Sequence, residues 1–385
     1  MNEHYFDHAA TSSVHPHVLD AMIPYFTEVY GNPSSTHRFG RRAKAALRNA
    51  RERLAVQFNA SADEFIFTSG GTEANNLALL GYARANRFKG KHIITSKTEH
   101  HAVLHTVKKL EAEGFTVTYL DVDQAGKVST EKLRSALTDE TILVSIMYGN
   151  NEVGTLQPIK EIGALLQNHQ AAFHTDAVQA AGLETIDCAD LGVDLFSLAS
   201  HKVNGPKGVG CLFVSKNVTI APLSYGGEQE RKRRAGTENV AGIVGFAKAI
   251  ELANDQRTEN RRKYKYFRDT FIEIMDAHGV EYVINGSDDG LPHILNVSFK
   301  GVKTETLLMK LDLIGIVASG GSACTAGTLV PSHVIEAMYG PESPRVSEAI
   351  RFSFGFTNIE SETTEAFQEI ARIVLAEQNR DQFIE

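Results

Sequence analysis

Residues 171–214 read AAFHTDAVQAAGLETIDCADLGVDLFSLASHKVNGPKGVGCLFV, and the order of apolar runs and turns in them decides the fold. Three runs, 171–175, 193–198 and 209–214, are rich in β-branched and aromatic residues and have strand length. Asp176 closes the first run, at the edge where doubly wound sheets place their ligands. Only residues 199–208 separate the last two runs, too few for a crossover helix, so the third is expected to return antiparallel. That short turn holds Ala199-Ser200-His201-Lys202 and Gly205-Pro206-Lys207-Gly208.

Working outward, upstream runs at 65–68, 92–95, 116–120 and 142–147 bring the count of expected strands to seven. Helix-like stretches at 73–86, 102–113, 130–137 and 159–168 alternate with them, the βαβ rhythm of a mainly parallel sheet with helices on both faces. After Gly236, Ile243, Phe246, Ala247 and Ile250 keep helical spacing, and the polar stretch 254–265 has no Gly or Pro, which predicts one long helix linking two domains. Beyond it, strand-like 293–299, 316–319 and 350–354 alternate with helix-like 305–311, 333–338 and 365–377, a smaller α+β unit. The expected division is a large domain over 15–252 and a small one formed by 1–14 and 253–385.

The 385 residues, 42% hydrophobic and 22% charged, have the composition of an ordinary globular chain. A formal charge of -8 argues against nucleic acid as a direct partner. Two basic stretches stand against that balance: His37 to Phe58, with seven Arg and Lys and one Glu, and Arg231-Lys232-Arg233-Arg234. Solvated helix faces or dimer contacts are their plainer reading, and a docking site for an acidic acceptor is the other. The three cysteines, Cys188, Cys211 and Cys324, show neither a disulfide framework nor zinc spacing. The start lacks the pattern of a secretion signal and no apolar run is long enough to cross a bilayer, so a cytoplasmic location without membrane contact is expected.

Two glycines, Gly70 and Gly71, lie between the run 65–68 and the helix former Thr72-Glu73-Ala74-Asn75. Free N–H groups at a helix start hold phosphate well, although for the triplet alone a capped turn is the favoured explanation. A carboxylate at Asp176 could anchor a cationic ring nitrogen, with Gln179 one turn further on. Lys202, beside a phosphate cradle, suggests a Schiff base rather than a surface lysine. Cradle, carboxylate and lysine at successive strand ends are together what pyridoxal 5'-phosphate requires.

Eleven segments in chain order then closely resemble the cysteine desulfurases, the NifS- and IscS-like group of the class V aminotransferase family. They are DHAAT (7–11), YGNPSSTH (30–37), FTSGGTEANN (67–76), TEHHAV (98–103), NNEVG (150–154), FHTDAVQA (173–180), HKVNGPKGVG (201–210), RAGTEN (234–239), GSACTAG (321–327), PSHV (331–334) and IRFSFG (350–355). The resemblance implies the fold of aspartate aminotransferase, pyridoxal-phosphate fold type I. It also implies that Lys202 forms the imine, Asp176 binds the pyridine nitrogen, Gln179 the ring hydroxyl, and His100 stacks on the ring. Gly71, Thr72, Ser200 and His201 would hold the phosphate, with Thr237 supplied by the partner in a homodimer. Asn151 and Arg351 match the holders of the substrate carboxylate, and Asn32 is a further substrate-side candidate. His101 and His105 stay unassigned, with no metal site implied.

The implied reaction converts L-cysteine to L-alanine. Freed Lys202 takes the α-proton, Cys324 attacks the substrate sulfur and becomes a persulfide, and His100 moves protons nearby. An acceptor protein, an iron-sulfur scaffold or a tRNA thiolase, would then receive the sulfur. The run of small residues around Cys324 reads as a mobile loop, while Cys188 and Cys211 read as small buried hydrophobes. ASGGSAC at 318–324 and DHAATSS at 7–13 depart from the commoner SSGSAC and DHAATTP, which bears on the loop and its partner more than on the chemistry. Competing readings are another pyridoxal-phosphate enzyme, an aminotransferase or selenocysteine lyase, and a scaffold without turnover. A scaffold would have lost Lys202 or Asp176, and both are present.

Overall fold

In the computed structural model, which describes residues 3–320 and 331–381, the chain opens with a short strand, β1 (His4–Tyr5). The large sheet then uses β2 (Phe65–Thr68), β3 (His92–Ser96), β4 (Thr116–Leu120), β5 (Thr141–Ser145), β6 (Ala172–Asp176), β7 (Leu195–Ala199) and β8 (Gly210–Val214). Their spatial order is β2-β8-β7-β6-β5-β3-β4. The strand β8 runs antiparallel to both β7 and β2, and the other neighbouring pairs are parallel. Every residue of β5 to β8 is buried, as expected of strands covered on both faces. Sequence reading and structure agree here because these strands are short and rich in β-branched and aromatic residues.

One face of the sheet is covered by the helices Arg38–Val56 and Val240–Asp255, whose Leu47, Leu54, Ile243 and Phe246 meet Phe65, Phe196 and Phe213 in one core. The other face carries Leu77, Leu79, Val103, Val107 and Leu110 against Ile66, Ile93 and Leu212. At the start of β8, a Cβ on Gly210 would come 2.6 Å from both the Gly70 carbonyl carbon and the Leu198 oxygen. Only glycine lets β8 pass this close to the turn after β2.

A smaller three-stranded antiparallel sheet follows, in the order β12-β10-β9, from β9 (Tyr282–Asn285), β10 (Ile294–Phe299) and β12 (Ala349–Ser353). The strand β11 (Ile316–Val317) pairs in parallel with β1. Bridges between Asp7 and Ser353 and between Ser319 and Arg351 bind the two small sheets together. Phe6, Phe267, Phe271, Phe299, Phe352, Phe354 and Phe367 fill this second core.

Two expectations need correction. The single long linking helix is two helices, Val240–Asp255 and Arg257–Ala277, interrupted at Gln256 (φ -93°, ψ 3°). At the break Asn254 Nδ2 donates to Gln57 Oε1 and Asn254 Oδ1 accepts from Arg257, whose other terminal nitrogen donates to Thr185, so side-chain bonds fix a bend that no Gly or Pro announces. The strand β9 was not expected, because it is a half-exposed edge of four residues whose pairing comes from β10.

The basic stretches are largely committed within the chain. Arg51 makes a two-pronged bond to buried Glu230 (2.5 and 2.7 Å), and Arg53 pairs with Glu251. Arg234 pairs with Glu73, while Arg231 and Arg233 donate to the Asp63 carbonyl. Among the described residues, no helix is long and apolar enough to cross a membrane.

Phe271 is fully buried, with ring centroids of Phe352 and Phe367 at 5.3 and 5.1 Å. Phe271→Ala should therefore cost about 3–5 kcal/mol in urea unfolding, and a loss below about 1 kcal/mol would show that this cluster does not hold the small unit together.

Candidate active site

The carboxyl ends of the large sheet's parallel strands converge on one cavity of about 600 Å³. Gly71 and Thr72 follow β2, His100 follows β3, Asn151 follows β5, Asp176 ends β6, and His201 and Lys202 follow β7. All seven line the cavity, as do Gln179 and, from β12, Arg351.

Asp176 is buried at the tip of β6. Its Oδ1 accepts from the Val178 N–H (3.0 Å) and its Oδ2 from Asn75 Nδ2 (2.7 Å). Both oxygens are thus oriented, and charge-assisted bonds of this kind keep a carboxylate aimed. Gln179 donates to the Ala9 carbonyl (2.9 Å), and its Oε1 faces His293 Nε2 at 3.3 Å.

Lys202 sits in the short turn after β7 and donates from Nζ to the carbonyls of Ala9 and of Ala10 (2.8 Å). Burial, helped by the Arg351 charge, lowers its pKa to about 8, while Asp7 and Asp176 oppose the shift. An amine with that value is available in neutral form near physiological pH, which a nucleophile or base requires.

His100 caps the helix His101–Ala112, with Nδ1 accepting from the Ala102 N–H (3.0 Å). That bond turns Nε2 away from the helix. Burial lowers the His100 pKa, with Lys202 and His333 adding to the fall and Asp176 opposing it. Arg351 binds Asp7 (2.7 Å) and the carbonyl of Asn151 (2.8 Å), so the two expected carboxylate-binding residues are in contact.

Ser200 lies beneath this surface, fully buried, and its Oγ has no hydrogen-bond partner among the described residues. Asn32 and Thr237 are exposed and do not line the cavity of this chain; the Asn32 side chain accepts from the Ser34 N–H. Cys324 lies outside the described residues, although Ser319 and Gly320 just before it line the cavity.

Sequence reading missed several residues. Asp7 and Asn75 lie within quoted motifs, yet their partners Arg351 and Asp176 are distant in the chain. Glu99 is fully buried: its Oε1 accepts from Ser96 Oγ (2.8 Å) and the Met147 N–H (2.9 Å), and its carbonyl accepts from His333 Nε2 (2.9 Å). Burial, and secondarily the nearby Asp176 charge, push its carboxyl up to about 8. The only signal for Glu99 in the sequence was its place beside His100.

A mainly parallel sheet that presents a buried lysine, an oriented aspartate and a phosphate-ready helix start at one edge defines a fold type I enzyme site. Residues 4–365 match the family described as Aminotransferase class-V, and the chain belongs to that family. A relative from Bacillus subtilis (strain 168), named putative cysteine desulfurase IscS 1, is 53% identical over 97% of this chain and 99% of its own length. Another from Methanosarcina thermophila, named cysteine desulfurase IscS, is 48% identical over 96% of this chain and 91% of its own. Among solved structures, one described as a NifS-like protein superposes with a TM-score of 0.90 at 37% identity, covering 97% of this chain and 99% of that one. A second, described as SspA in complex with cysteine, gives a TM-score of 0.80 at 36% identity, covering 92% and 99%.

The family's cofactor is pyridoxal 5'-phosphate. The residues present fit it. Asp176 lines the cavity with both oxygens oriented, the Lys202 amine titrates at about 8, and the helix start at Gly71 opens on the same cavity. A Cβ on Gly71 would crowd Val178 at 3.0 Å, so the backbone there stays open to a phosphate.

The Glu99 carboxyl gives a pH prediction for the apoprotein. The fold keeps it protonated up to about pH 8, while the unfolded chain ionises it near the ordinary carboxylate value. In between, the native state binds the extra proton, so this group's contribution to stability falls as pH rises. The urea midpoint of Glu99→Gln should gain on that of the wild type between about pH 5 and about pH 8. A constant difference across the range would contradict it.

Proposed function

We propose that the chain is a pyridoxal-phosphate-dependent cysteine desulfurase that converts L-cysteine to L-alanine and carries the sulfur as a persulfide on Cys324. The observation that carries this reading is the meeting of Lys202, Asp176 and Arg351 in one cavity whose wall includes Ser319 and Gly320, the residues that lead to Cys324. Relatives named cysteine desulfurase, similar over nearly the full chain, support it.

Asp176 would hold the pyridine nitrogen, Gln179 the ring hydroxyl and His100 the ring face. Gly71, Thr72, Ser200 and His201 would hold the phosphate. Thr237 would serve the partner subunit of a homodimer, which its exposure on this chain supports. When bound, pyridoxal 5'-phosphate supplies the electron sink that makes the α-proton acidic. Arg351 and Asn151 orient the substrate through its carboxylate, with Asn32 as a further contact.

Lys202 Nζ, brought to about 8 by burial, is the base for the α-proton. Cys324, as thiolate, attacks the substrate sulfur: the new S–S bond forms as the C–S bond breaks, and the carbon skeleton gains a proton to leave as alanine. His100 would move that proton. Cys188 and Cys211 are buried, and burial pushes both thiols far up, so neither offers a ready thiolate.

We take 15–252 as the cofactor-binding unit and 1–14 with 253–385 as the unit carrying Cys324. The second core, which joins Phe6 and Ala9 to residues from Tyr264 onward and takes only Leu183 of its buried members from 15–252, supports that division. An acceptor protein in the cytoplasm would receive the sulfur for iron-sulfur cluster assembly or tRNA thiolation.

The test is alanine and sulfide measured together from L-cysteine and a reductant. Wild type should release them in equal amounts. Lys202→Ala should lose all turnover, and Cys324→Ser should keep its bound cofactor while releasing no sulfide. Wild-type sulfide release by Cys324→Ser would overturn the assignment.

A further inference from the structure

The DHAAT motif begins with Asp7, a residue given no part in the reaction above. Its backbone is fixed by the bridge to Ser353, and its carboxylate meets Arg351 Nη2 at 2.7 Å. Both side chains line the cavity, that of Asp7 partly exposed and that of Arg351 buried. Two and three residues further on, the carbonyls of Ala9 and Ala10 accept from Lys202 Nζ. The segment 7–10 therefore offers two carbonyls to one amine and places a carboxylate on the wall of the same cavity, and the charge of Asp7 favours the protonated form of that amine.

A substrate amine has to take the place of Lys202 Nζ, so it arrives in this acceptor-lined corner. An α-amino acid carries its ammonium and carboxylate on one carbon, side by side. Asp7 and Arg351 present the complementary charges in direct contact. We infer that Asp7 and Arg351 form a dipolar clamp for the zwitterionic head of the substrate, with Arg351 taking the carboxylate and Asp7 the incoming ammonium. The inference rests on the amino-acid chemistry proposed above. Lone ion pairs also serve to lock strands together, so the test separates recognition from support.

Asp7→Asn keeps the shape and the oxygen that accepts from Arg351 while removing the charge. With holoenzyme, it should raise KM for L-cysteine by about 10- to 100-fold, the loss of one charge-assisted hydrogen bond. The Ki of 3-mercaptopropionate, which has the carboxylate and thiol but no amine, should stay the same or fall. Asp7→Glu, which restores the charge, should give a KM nearer the wild type than Asp7→Asn does, and it carries the comparison if Asn is poorly tolerated. Equal weakening of both ligands would mean a supporting ion pair only, and an unchanged or lower KM would mean no ammonium contact; either overturns the clamp. A wild type that makes no alanine from L-cysteine would instead overturn the reading on which the clamp rests.

Discussion

One carbonyl oxygen, that of Ala9, accepts hydrogen bonds from both Lys202 and Gln179. Burying an amine on a flexible stem is costly unless its protons are met, and here Ala9 and Ala10 meet them. The same short segment belongs to the second core through Phe6 and Ala9, and it is pinned by the Ser353 Oγ contact to the Ala9 N–H (2.9 Å). The chain's first residues therefore bind the edge of the large sheet to the small unit, and the cavity lies at that seam.

The charge arrangement follows from this seam. Lys202 sits between Arg351, which disfavours its protonation, and Asp7 and Asp176, which favour it; burial decides the balance and leaves the amine titrating at about 8. Asp176 is kept in place by Asn75 and the Val178 N–H. Glu99, the other carboxyl nearby, is shielded so completely that it stays protonated at neutral pH and joins Ser96 to Met147 without adding a second negative charge beside Asp176.

The strands and their antiparallel return were legible because the buried strands are short runs rich in β-branched and aromatic residues and because 199–208 is too short for a crossover. Gly71, Asp176 and Lys202 were legible together because each stands at the end of a strand of one sheet, and His100 was legible only through the family resemblance. What escaped the sequence depends on long-range side-chain bonds. Asp7 reaches Arg351 across 344 positions, Glu99 reaches the Met147 N–H across 48, and the bend at Gln256 is set by Gln57 and Thr185. No local pattern encodes such partners. Asn32 and Thr237 show the same limit from the other side, since their motifs named them and both lie exposed, off the lining of this cavity.

The central claim is that sulfur leaves cysteine for one particular thiol. Holoenzyme mixed with L-cysteine in the absence of reductant, alkylated at once, digested and weighed by mass spectrometry tests it most directly. The account predicts one extra sulfur atom on the peptide containing Cys324 and none on those containing Cys188 or Cys211, whose thiols burial holds protonated. An extra sulfur on either buried cysteine, or none on Cys324 while alanine accumulates, would contradict it.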